Sequence, residues 1–100
     1  MTSEKLYEIC EKANKRFQAE RLYAEIYPYN ASAEMPVIDV EINWGDWKHE
    51  HGRAKWLMGL MGARLIGTQV TEEDGSDCYS AIHHFYVGED FNEEAVDEED

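Results

Sequence analysis

Basic residues are scarce in this chain: nine Lys and Arg stand against 22 Asp and Glu in 100 residues, a formal net charge of −13. A surface of that sign repels nucleic acid and anionic lipid and attracts basic protein grooves, so the expected partner is a protein. Two cysteines, Cys10 and Cys78, are too few for a disulfide framework and lack paired metal-ligand spacing. A reduced, cytoplasmic setting is therefore expected, with no required disulfide. No apolar run is long enough for a signal peptide or a membrane span. Glycines are not gathered into a phosphate-cradling loop, because Gly59, Gly62 and Gly67 lack the strand, loop and helix setting and the lysine that such a loop needs. Internal repeats are absent too. What these absences leave is one small domain, long enough to close a single core unaided.

Leu6, Ile9, Cys10, Ala13 and Phe17 recur at three- and four-residue intervals, which predicts an amphipathic helix over 3–20, with Ser3 able to cap it. Glu8 with Lys12 and Glu11 with Lys15 are acid-before-base pairs on its solvated face. From Arg21 the period changes to two: Leu22, Ala24 and Ile26 face one way, opposite Tyr23, Glu25 and Tyr27, until Pro28. After Pro36 the alternation resumes with Ile38, Val40, Ile42 and Trp44 against Asp39, Glu41 and Asn43, so the two segments read as a hairpin. Asp46 can cap a second helix, with Trp47, Ala54, Leu57, Met58 and Met61 as its buried stripe and Gly62 as its end. Ala63 to Glu72 and Cys78 to Val87 form a second hairpin around an Asp74-Gly75 turn.

Four strands and two helices, each with one apolar face, bury those faces best as a two-layer α+β sandwich: a four-stranded antiparallel sheet with both helices on one side. The order α-β-β-α-β-β matches a ferredoxin-like unit whose first strand has moved to the end. Residues 1–88 make the domain, and 89–100 an acidic tail expected to be dispensable for folding.

Chemistry is hard to read from the spacing. His49 and His51 differ by about 200° around a helix, and His83 and His84 point to opposite faces of a strand, so no metal is expected. The pattern leaves open a site built across elements from His51, one strand histidine and Cys78. Cys10 lies on an apolar helical stripe and Cys78 follows Asp77, neither a setting for a reactive thiolate. No cofactor and no enzymatic activity are expected.

The negative charge is unevenly placed. Residues 89–100 hold Glu89, Asp90, Glu93, Glu94, Asp97, Glu98, Glu99 and Asp100 with no base, which leaves 14 acids against 9 bases in the body. Glu89, Glu93 and Asp97 repeat every four residues, as do Asp90, Glu94 and Glu98, around a small strip of Phe91 and Ala95. Such a segment is expected to fray alone and to order against a basic surface. Asp39 and Glu41, alternate residues of a strand, stand roughly 6.6–6.8 Å apart, close to phosphate spacing, so a carboxylate row can imitate a nucleic-acid backbone. On the second helix, Trp56 falls almost opposite the buried stripe with Leu60 beside it, an aromatic contact patch.

In size and charge alone the chain resembles small acidic phage proteins that block host nucleases, and acidic antitoxins. That likeness covers no motif and assigns no family; it is the charge pattern that leads us to expect a nucleic-acid mimic of the anti-defence type, inhibiting a nucleic-acid-handling protein from its basic groove. Asp39, Glu41, the tail carboxylates, Trp56 and Leu60 would make the contacts. A structural or adaptor module using the Trp56/Leu60 face, with a homodimer as one form, is the alternative, and a small enzyme or ligand-binding protein the third reading.

Overall fold

The computed structural model describes residues 2–30, 36–88 and 91. Helix α1 spans Ser3–Ala19 and buries Leu6, Ile9, Cys10, Ala13 and Phe17, the stripe the periodicity marks. Its cap is Thr2 and not Ser3: Thr2 is extended, and its hydroxyl accepts the Lys5 N–H at 3.1 Å. Past Ala19 the chain reverses through Arg21 at φ 60°, and the Leu22 N–H donates to the Phe17 carbonyl at 2.8 Å. That turn delays strand β1 to Glu25–Asn30, although Leu22, Ala24 and Ile26 still point inward.

Strand β2, Val37–Asp46, pairs antiparallel with β1 and sends Ile38, Val40 and Ile42 into the core. Its alternation breaks at Trp44, which sits at φ 51° in a bulge between Ile42 and Gly45. A π-helical turn, Trp47–His51, then leads into helix α2, Gly52–Leu60. Ala54, Leu57, Met58 and Met61 are buried as expected, but Trp47 is exposed. The i→i+5 turn rotates it out of the position that an uninterrupted 100° step would give. Gly62, at φ 84°, ends the helix in the left-handed conformation that glycine adopts without a steric cost. Strands β3, Arg64–Glu73, and β4, Cys78–Tyr86, form the second hairpin.

All neighbours in the sheet are antiparallel, in the order β1-β2-β4-β3. Placing β4 ahead of α1 would convert this arrangement into the β-α-β-β-α-β order of a ferredoxin-like unit. Residues of both helices join Ile26, Ile38, Val40, Ile42 and Phe85 in one cluster, so both helices cover the same face. The two helices are tied at their edges by Glu20, which meets Arg16 at 3.3 Å and Arg53 at 3.1 Å.

The two edges of the sheet are treated differently. On β1, Asn14 of α1 bonds the Ile26 backbone twice, its amide donating to the carbonyl at 2.9 Å and its oxygen accepting the N–H at 3.2 Å. Pro28 removes a further donor from that edge. On β3, nearly every residue is exposed. Phe91 packs against the core cluster, so the acidic extension is not separate from the domain throughout; its first aromatic belongs to the fold.

Candidate functional site

The end of the sheet where β2 passes into α2 is drawn tight by Gly45. A Cβ there would lie 2.6 Å from Ile42 Cγ2 and 2.8 Å from Glu50 Cβ, so only glycine lets the strand end rest on the π-turn. Asp46 follows and caps that turn, accepting the N–H groups of Lys48 at 2.8 Å and His49 at 3.2 Å. Its own N–H donates to Glu50 Oε2 at 2.6 Å, and the Trp47 N–H donates to the Asp77 carbonyl at 3.2 Å. Register places Asp46 opposite Cys78, so the 74–77 loop joins the same corner.

Four carboxylates meet there. The Cys78 thiol is pushed up first by burial and then by the charges of Asp46, Glu50, Asp77 and Asp74. Asp46 is held below the usual carboxylate range by the Lys48 and His49 N–H groups, and Asp74 by the hydroxyl and N–H of Ser76. Both therefore stay anionic well into acid. Beside them stand Trp44, 45% exposed, and Trp47, 52% exposed, the latter with Lys48 Nζ 5.5 Å above its ring. Trp44 keeps its left-handed backbone while its N–H donates to Ser80 Oγ at 2.9 Å. The corner thus combines four carboxylates with two half-exposed indoles carried on the same strand end, a composition that can contact a cationic surface.

Behind the corner lies a buried polar chain. His51 Nε2 is 2.9 Å from the Tyr79 carbonyl, His51 Nδ1 is 2.8 Å from His83 Nε2, and His83 Nδ1 is 2.9 Å from Thr68 Oγ1. The His51 ring stacks flat on Tyr79 at 4.0 Å. Burial, and then the neighbouring charges of His51, Lys55 and His84, lower His83 to about 4. The cross-element meeting of His51 with a strand histidine, left open by the spacing, is realised, and Cys78 is outside it. Among the described residues no group of three or more His, Cys, Asp or Glu is gathered to hold a metal ion.

The expected carboxylate row is placed differently. Asp39 and Glu41 do share the helix-free face, but Asp39 is only 3% exposed and is bonded to His84 Nδ1 at 2.5 Å. The Tyr29 ring packs on His84 at 5.5 Å. Glu41 accepts the Tyr27 hydroxyl at 2.8 Å, and burial together with that bond raises the Tyr27 phenol. Asp39 is therefore corrected from a surface contact to a buried, partnered group. Trp56 and Leu60 are exposed, at 58% and 49%, as the helical step predicts. Glu89, Asp90, Glu93, Glu94, Asp97 and Glu98 lie outside the described residues.

The sequence reading missed the Trp44 and Trp47 corner because it placed both indoles inward. A usable signal was present: Gly45-Asp46 and Glu73-Asp74-Gly75-Ser76-Asp77 are two acidic turns that an antiparallel β2/β4 pairing brings to one end of the sheet.

Fold and site together define a small α+β domain with a closed core and an anionic, tryptophan-bearing corner. No family model, curated protein or solved structure matches the chain. Among the described residues, no helix is long and apolar enough to cross a membrane.

Proposed function

We propose that this domain works by binding, using the corner of Trp44, Trp47, Asp46, Glu50, Asp74 and Asp77 against a cationic protein surface, and that it inhibits a nucleic-acid-handling protein by filling its basic groove. The observation that carries the reading is that four carboxylates converge on Cys78 at the strand end that also carries the half-exposed Trp44 and Trp47, on either side of Gly45-Asp46 in the chain. Indoles supply large apolar area and favourable contact with Arg and Lys, while the anions steer a basic groove onto them. The net charge of −13, to which the eight tail carboxylates contribute, suits an anti-defence inhibitor that competes with nucleic acid. The assignment uses no catalytic group, metal or cofactor.

The test is competition. A basic nucleic-acid-binding protein recovered on the immobilised chain should elute with salt, and single- or double-stranded nucleic acid should displace it. Trp47→Ala should weaken its retention. Retention that persists in high salt, ignores nucleic acid and depends on Trp56 and Leu60 instead would favour the adaptor reading, whose support is the exposure of those two residues on α2.

A further inference from the structure

We propose that the β3 edge is a self-association surface, through which a second copy of this chain pairs antiparallel with the first across a twofold axis at Thr68. This proposal is independent of the acidic corner. It starts from the contrast between the two sheet edges. The β1 edge is closed by Asn14 and Pro28, whereas among the described residues no side chain bonds the backbone of β3 from outside the sheet. A ten-residue edge strand whose outer N–H and C=O groups take no partner among the described residues is a template for another strand, and β3 carries Leu65, Ile66 and Val70 exposed along it.

The occupant follows from charge and from the faces. Within β3, Arg64, Gly67, Gln69 and Glu72 lie opposite Tyr86, His84, Ile82 and Ser80, on the helix-free face. Thr68 and Val70 lie opposite His83 and Ala81, on the helix face. Residues paired across an antiparallel seam must share a face. A twofold register through Thr68 meets that condition: it sets Arg64 opposite Glu72 of the second copy, Gly67 opposite Gln69, and Thr68 opposite itself. The same register puts Ile66 opposite Val70. By symmetry each heterotypic pair forms twice, so one basic end of the strand meets one acidic end at both extremities. Shifting by one residue at each end, to an axis at Gln69, would put Leu65 against Glu73 and Ile66 against Glu72, which is a poorer match on both counts. A register midway between the two mismatches the faces. The bulges at Leu65/Gly67 and Val70/Glu72 flank this centre, so the regular ladder lies between them and the two Arg64–Glu72 contacts are side-chain pairs just beyond its ends.

Sedimentation equilibrium of the full chain over a concentration series up to about 1 mM tests this, at about 0.15 M salt, where screening over roughly 8 Å limits repulsion between the two acidic copies. The expected result is a monomer–dimer equilibrium that Arg64→Glu and Glu72→Arg each weaken at least about tenfold. The double variant Arg64→Glu/Glu72→Arg should restore dimerisation. Both side chains are exposed, and circular dichroism with a thermal melt establishes that each variant is folded. A wild-type chain that stays monomeric throughout overturns the proposal, as does a dimer that the folded single variants leave unchanged or that the double exchange fails to restore.

Discussion

His51 Nδ1 and His83 Nε2 lie 2.8 Å apart in a fully buried pair, and the partners at either end decide which nitrogen carries each proton. The Tyr79 carbonyl can only accept, so His51 Nε2 holds a hydrogen. With both rings neutral, His51 Nδ1 must then accept from His83 Nε2–H, and His83 Nδ1 accepts from the Thr68 hydroxyl. One tautomer of each ring satisfies the whole chain. Such a network in a dry interior pins the π-turn to the sheet, and through Gly45 it fixes the corner above it.

Stability should therefore fall on mild acidification. His83 titrates near 4 in the folded state against about 6.5 unfolded, so between those values the unfolded chain binds the extra proton. The neutral form's contribution is complete above pH 6.5 and is lost as pH falls toward 4, by up to roughly 3 kcal/mol. Urea unfolding measured at intervals across that window should show the decline, and His83→Gln should flatten it. The depressed carboxylates Asp46 and Asp74 act in a separate window, below their ordinary value of 3.8.

Removing the other ring should also be costly. His51→Ala leaves the His83 Nε2–H and the Tyr79 carbonyl without their partner and opens a cavity. A loss of about 3 kcal/mol is expected in denaturant unfolding. A loss below about 0.5 kcal/mol would mean that water replaces the ring without penalty.

Trp44 should behave in the opposite way. Its left-handed backbone costs a non-glycine residue about 1 kcal/mol, and its side chain is only half covered. Trp44→Gly should leave the thermal midpoint unchanged or raise it, yet weaken capture of a basic partner. A strong destabilisation would show that the indole supports the fold.

Truncation should separate Phe91 from the charges that follow it. A chain ending at residue 88 loses the Phe91 contact with the core and should be less stable by about 1–2 kcal/mol, whereas a chain ending at residue 92 should match the full-length protein. Equal stability of the two truncations would remove Phe91 from the core.

Much of the fold was legible because it is carried by periodicity. The α1 stripe, the inward set Ile38, Val40 and Ile42, the Asp46 cap and the Gly62 stop all follow from local residue order. Trp44 and Trp47 were not legible, since a bulge and a π-turn are backbone irregularities that shift phase without changing composition. Asp39 was given the right face and the wrong environment: strand parity says nothing of Tyr27, Tyr29 and His84 gathering around it. His83 could have been flagged, because it falls between Ala81 and Phe85 on the inward parity of its strand, where a polar ring requires a partner.

The measurement closest to the functional proposal is the ionic-strength dependence of association between the chain and a captured basic nucleic-acid-binding protein, compared with Asp74→Asn/Asp77→Asn and Trp47→Ala. Steering by the corner predicts a wild-type on-rate that falls steeply with salt and a flatter dependence after charge removal. Trp47→Ala should mainly raise the off-rate. An on-rate that is indifferent to salt and to charge removal, together with an off-rate that Trp47→Ala leaves unchanged, would contradict recognition through the acidic tryptophan corner.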